Sequence, residues 1–247
     1  LKPLGVGVLV WALAHCKIRG QAGCRNVLQP VSFVHQLVAV GPIAMKLFVS
    51  IVSVISAFAL QSAHAETGKP DLAAGAAKYG QVCVACHAAD GNSMVPANPK
   101  LAQQHPEYLI KQLQEFKSGK RANAVMAGFA GILSDADMRD VSYWLAKQQG
   151  KPGAATDKDL VAMGERIYRG GIAERNIPAC AGCHSPNGAG MPSQFPRLSG
   201  QHAEYTATQL RNFRSGVRNN NAAMTGVAAR MNDKEIAAVS DYIAGLR

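Results

Sequence analysis

The sequence predicts an all-α fold of two similar helical domains in tandem. Three observations predict it. The pentapeptide Cys83-Val84-Ala85-Cys86-His87 returns 97 positions later as Cys180-Ala181-Gly182-Cys183-His184. The following segments repeat at the same offset: Pro99-Lys100-Leu101 with Pro196-Arg197-Leu198, Gln104-His105 with Gln201-His202, and Phe116-Lys117-Ser118-Gly119 with Phe213-Arg214-Ser215-Gly216. Apolar residues recur at helical spacing, and runs that alternate as half-buried strands do are few.

The elements of each half read in order. Asp71 and Asp159 are the expected caps of a first helix leading to the cysteine motif. That path is longer in the second half, with extra residues around Gly170 to Pro178. Pro106 opens a middle helix carrying Tyr108, Leu109, Gln112, Leu113 and Phe116, and Gly119 ends it. Ser134 with Asp137, and Asn232 with Glu235, resemble capping boxes for the last helix of each half. The expected domains are residues 66–149 and 158–247, joined by a linker at 150–157 that carries Gly150, Pro152 and Gly153.

Met45-Lys46, the apolar run Leu47 to Leu60 and the small-residue site ending at Ala65 form the pattern of a secretory signal peptide over 45–65. The apolar run is short of the roughly 20 residues that span a bilayer. Residues 1–44 are expected to be a non-native upstream extension, and Cys16 and Cys24 within them receive no role. Residues 1–65 hold five of the 26 Lys and Arg and none of the 16 Asp and Glu, so setting them aside halves the formal charge of +10. With no basic run or aromatic stacking motif in the remainder, nucleic acid is not an expected partner.

Cys-x-x-Cys-His is the attachment signature of c-type haem. Cys83 and Cys86, and likewise Cys180 and Cys183, stand three positions apart on one turn, where both thiols can bond vinyl groups along one porphyrin edge. His87 and His184 then face the iron as axial ligands. A zinc site would use paired cysteines without needing His directly after each pair. A thioredoxin-like pair would sit in a βαβ pattern that is not visible here. The expected cofactors are two covalent haem c groups. A domain this small has little core of its own, so folding is expected to depend on haem attachment.

Met126 lies 39 residues after His87, and Met224 lies 40 after His184, both in the expected loop before the last helix. There the chain can return to the other haem face. Met/His ligation raises the reduction potential, and a filled iron suits electron transfer. Met94 and Met191 are the rival pair, but they follow the histidine by only seven residues, and His105 and His202 are the bis-His candidates. The carbonyls of Pro99 and Pro196 can accept the other ring N–H of the axial histidine, the bond a ligating His commonly makes. Lys100 and Arg197 could meet haem propionates or be solvated surface charges.

These motifs, with Asp90-Gly91-Asn92, Pro186-Asn187-Gly188, Gln201-His202-Ala203-Glu204-Tyr205 and the two Met-x-Gly segments, resemble the cytochrome c4 family over essentially all of residues 66–247. The resemblance implies two tandem class I cytochrome c domains related by a pseudo-twofold, each wrapped around one haem. It implies a periplasmic electron-transfer protein and not an enzyme. Its redox partners would be the quinol–cytochrome c reductase side as donor and a terminal oxidase as acceptor, with loose membrane association. Gln103-Gln104 departs from the family's Gly-Gln, with only a local loop effect expected. Two other readings are kept. One is a cytochrome subunit of a dehydrogenase, such as a flavocytochrome sulfide dehydrogenase. The other is a dihaem peroxidase, which would need an open iron that the paired methionines argue against.

Overall fold

The computed structural model describes residues 68–247, so the expected signal peptide at 45–65 and upstream extension at 1–44 lie outside the described residues. The first half begins with α1 (Leu72–Val82), whose cap Asp71 accepts from the backbone N–H groups of Ala73 and Ala74. A short α2 (Val84–His87) follows directly. The middle helix α3 (Pro106–Lys117) starts at a proline, whose missing N–H would have no intrahelical partner there. Next come α4 (Ala124–Gly131) and α5 (Asp135–Lys147), the latter closed by the Ser134–Asp137 capping box.

The second half repeats the order: α6 (Lys158–Gly170), α7 (Ala181–His184), α8 (Ala203–Ser215), α9 (Ala222–Ala228) and α10 (Asp233–Gly245). Asn232 and Glu235 form the capping box of α10. The extra residues of this half form a 3₁₀ turn at Ala173–Arg175 between α6 and α7. Among the described residues the only β-type pairings are isolated bridges.

Two expectations are corrected. Asp157, not Asp159, caps α6: its backbone is extended, and its carboxylate accepts from Asp159 and Leu160. Asp159 already lies in the first turn, where it needs a cap rather than provides one. Met126 and Met224 stand in short helices, not in loops. Asn123 and Asn221 cap these helices by accepting from the Met126 and Met224 N–H groups, each at 2.9 Å. Helices of eight and seven residues, mostly small ones, carry no amphipathic stripe to announce them.

Each half is organised by its first helix crossing its last. At the crossing a Cβ on Gly75 would lie 2.2 Å from the Asp140 carbonyl oxygen, and one on Gly164 would lie 2.1 Å from that of Ala238. Only glycine lets these backbones meet so closely. Around the crossings lie two cores. Tyr79, Leu109, Val141 and Leu145 form one, and Ile167, Tyr168, Ile236, Val239 and Ile243 belong to the other.

The halves clasp one another through paired contacts. The Gln104 side chain bonds the backbone of Arg197, and Gln201 does the same to Lys100. The ring Nε2 atoms of His105 and His202 bond the carbonyls of Ala189 and Ser93 at 2.9 and 2.8 Å. Both rings therefore turn to the opposite half, which accounts for the two bis-His candidates without iron.

Candidate haem-binding sites

The cysteine motifs sit where α1 and α6 deliver them. The His87 N–H bonds the Cys83 carbonyl at 3.1 Å, and the His184 N–H bonds that of Cys180 at 2.8 Å, so each motif forms a single helical turn. All four cysteines are free thiols, with Cys83 and Cys180 half-buried and Cys86 and Cys183 exposed. Burial pushes the Cys83 and Cys180 thiols up to about 11. Among the described residues no three His, Cys, Asp or Glu side chains converge as a metal cluster would need.

His87 and His184 are each 7% exposed. Their Nδ1 atoms lie 2.9 and 3.0 Å from the carbonyl oxygens of Pro99 and Pro196, as expected from the sequence. A carbonyl can only accept, so Nδ1 carries the proton and Nε2 keeps its lone pair. Burial holds both rings below the ordinary histidine range, with the proline carbonyl opposing it in part, which favours the neutral ring that binds iron.

The turn after each histidine is tied down by a residue that sequence reasoning missed. Tyr79 donates its hydroxyl to the Ala88 carbonyl, and Tyr168 donates to that of Ser185, both at 2.7 Å. Ala88 and Ser185 have φ of 62° and 69° with ψ of 167° and 152°, a positive-φ extended conformation that non-glycine residues adopt at a cost. The hydrogen bonds hold the chain there as it turns away from the histidine. Burial pushes both tyrosine hydroxyls far above their ordinary range, so they remain donors.

Of the candidate sulfur ligands, Met126 and Met224 are half-buried, and both are fixed at the backbone by their asparagine caps. Met94 is 82% exposed and Met191 is 36% exposed. Lys100 and Arg197 lie along the junction of the halves and line a cavity of about 230 Å³ with Gln104 and Gln201. Lys100 Nζ donates to the Lys151 carbonyl at 3.2 Å. Two thiols on one turn, a neutral imidazole with a free Nε2 and an apolar surround together fit a covalent haem in each half.

The fold and these sites define a two-domain c-type cytochrome. The sequence profile of the cytochrome c family matches residues 72–149 and again 161–247. The chain is 50% identical over 190 residues to the cytochrome c4 of Thiocapsa roseopersicina, covering 75% of this chain and 97% of that one. It is 38% identical over 192 residues to the thiosulfate dehydrogenase electron acceptor of Stutzerimonas stutzeri (strain A1501), covering 76% and 89%. The crystal structure of reduced recombinant cytochrome c4 from Pseudomonas stutzeri superposes with a TM-score of 0.69 at 45% identity, covering 72% of this chain and all of that one. The chain belongs to the cytochrome c family and, within it, to the cytochrome c4 proteins. It is a dihaem electron carrier rather than an enzyme, with two covalent haem c groups and one Cys-x-x-Cys motif in each half, at 83–86 and 180–183.

Proposed function

We propose that this chain is a periplasmic carrier of a respiratory chain. It takes electrons from the quinol–cytochrome c reductase side and passes them toward a terminal oxidase. Its haem domains are residues 66–149 and 158–247, joined by 150–157, and its axial pairs are His87 with Met126 and His184 with Met224. When bound, each haem c supplies an iron centre that gains and loses one electron.

The protein's own residues keep that centre closed and rigid. The Pro99 and Pro196 carbonyls fix the tautomer and direction of each imidazole. Asn123 and Asn221 fix the turn that carries each methionine by accepting its backbone N–H, at the same point in the two halves. This duplicated pairing of a bonded histidine with a capped methionine is the observation that carries the reading. An iron held between His87 and Met126, or between His184 and Met224, would have no position open to peroxide and would rearrange little between oxidation states.

Export is supported by the signal-peptide pattern at 45–65. Among the described residues no helix is long and apolar enough to cross a membrane. One relative is named as the electron acceptor of thiosulfate dehydrogenase, which favours a second reading in which the donor is a dehydrogenase rather than the quinol side. Met126→Ala and Met224→Ala test the axial assignment. Each should abolish the Met–Fe(III) charge-transfer absorption of one haem and lower its potential. An unchanged spectrum and potential in either variant would refute that ligand. Reduction rates with purified quinol–cytochrome c reductase and with a thiosulfate-oxidising dehydrogenase then distinguish the two donors.

A further inference from the structure

Between α3 and α8 lies a buried polar seam that axial ligation does not explain. Arg121 and Arg218 are 6% and 7% exposed, and each guanidinium stands over a phenylalanine of its own half, 4.5 Å from Phe116 and 4.4 Å from Phe213. Each divides its amino groups between the halves. Arg121 Nη1 donates to its own Gln112 at 2.8 Å, while Nη2 donates to Tyr205 and Gln209 of the other half, both at 2.9 Å. Arg218 mirrors this, with Nη1 donating to Gln209 at 2.9 Å and Nη2 to Tyr108 and Gln112 at 3.2 and 3.1 Å. The two backbones meet in an isolated antiparallel bridge.

These acceptors are neutral. The carboxylate that reaches the network, Glu115, is bonded by Asn220 and ion-paired with Lys111 and Lys120. Glu115 attracts Arg121 as well, so one carboxylate serves Arg121, Lys111 and Lys120, and the seam keeps an excess of buried positive charge that an added electron nearby would offset. The seam's neighbours pack on the same cores as the haem-motif cysteines. Tyr108 packs against the cluster of Tyr79, Leu109, Val141 and Leu145, as do Cys83 and Leu101. On the other side Leu210, next to Gln209, packs on the cluster that takes Cys180 and Leu198. Burial pushes the Tyr108 hydroxyl up, and the guanidiniums of Arg218 and Arg121 beside it more than reverse this.

We propose that Arg121 and Arg218 form one shared cationic seam that raises the reduction potentials of both haems, each arginine acting on the haem of the opposite half as well as its own. An added electron at either iron lowers the local positive charge, so a buried cation nearby favours the reduced form. The inference rests on haem attachment in both halves.

The test is a spectroelectrochemical titration of the holoprotein and its Arg121→Gln, Arg218→Gln and Arg121→Lys variants. Each haem is followed through its own paramagnetically shifted NMR resonances. Either Gln variant should lower both potentials, each by at least about a threefold change in the one-electron equilibrium, where tenfold corresponds to 59 mV. Arg121→Lys should keep both potentials near their original values. A shift confined to the haem of the substituted half, or unmoved potentials, would overturn the proposal. So would an equal fall in Gln104→Ala, which loosens the same junction without removing charge. The Met–Fe(III) absorption of the unaltered protein tests the axial assignment separately. Variants that keep that band while their potentials stay fixed overturn the seam alone.

Discussion

Gln104 grips the backbone of Arg197 from both sides: its side-chain oxygen accepts the Arg197 N–H and its amide donates to the Arg197 carbonyl, each at 2.9 Å. Gln201 repeats both bonds on Lys100 at 2.9 Å. A glutamine amide is donor and acceptor at once, so it can stand in for a strand neighbour along an unpaired peptide. These four bonds hold the two halves in register, and among the described residues no continuous sheet joins them.

Replacing both glutamines with alanine therefore removes four bonds across the junction. At about 0.5–1.5 kcal/mol each, the loss should loosen the halves while each stays folded. Faster proteolysis within 150–157, with far-UV circular dichroism retained, is the expected outcome.

Gly75→Ala and Gly164→Ala should be severe. The new methyl would lie 2.2 or 2.1 Å from a backbone carbonyl oxygen, and neither helix can retreat without opening its core. Overpacking of this kind costs about 1–3 kcal/mol or more. A thermal melt of each holoprotein should show a large fall in Tm, and a fall within measurement error would contradict the close crossing.

Gln103 occupies a left-handed position, with φ of 61°, where the second half has Gly200 at 74°. The N–H groups of both residues bond the end of the last helix, at Leu145 and Ile243. The local loop effect expected of the Gln103 departure is thus a strained backbone. Gln103→Gly should leave stability unchanged or raise it by up to about 1 kcal/mol, while Gly200→Gln should lower it by about 1 kcal/mol. Chemical denaturation of the two variants checks the opposite signs.

Partial burial raises the Asp137 carboxyl, but the N–H and hydroxyl of Ser134 and the ammonium of Lys78 more than reverse this and hold it below its ordinary value. Because the folded value lies below the unfolded one, the stabilisation is fully present above the carboxylate range and is lost as pH falls through it. Ser134→Ala should cost about 1 kcal/mol at neutral pH. That gap should narrow below about pH 4, near the unfolded aspartate value, as followed by denaturation at several pH values.

Much of this was legible in the sequence because it depends on local spacing. The haem turns, the Pro106 start of α3 and both capping boxes are set by residues within a few positions of one another. The histidine-to-proline bonds span 12 residues and were readable mainly through the resemblance to the cytochrome c4 family. What escaped depends on tertiary approach. Arg121 and Arg218 look like ordinary surface cations in sequence and become buried only when α3 meets α8. Their shared offset of 97 was the available signal. Asn123 and Asn221, three residues before each methionine, were a second unused one. For His105 and His202 the sequence favoured a surface or capping role over ligation, but not the carbonyls of the opposite half that their Nε2 atoms meet.

The decisive measurement is the optical spectrum of the ferric holoprotein, with haem quantified per chain. Two covalent low-spin haems per chain, both contributing the weak long-wavelength Met–Fe(III) absorption, are the predicted result. A single haem, or one haem that is high-spin or lacks the methionine band, would contradict a closed carrier with His87–Met126 and His184–Met224 ligation.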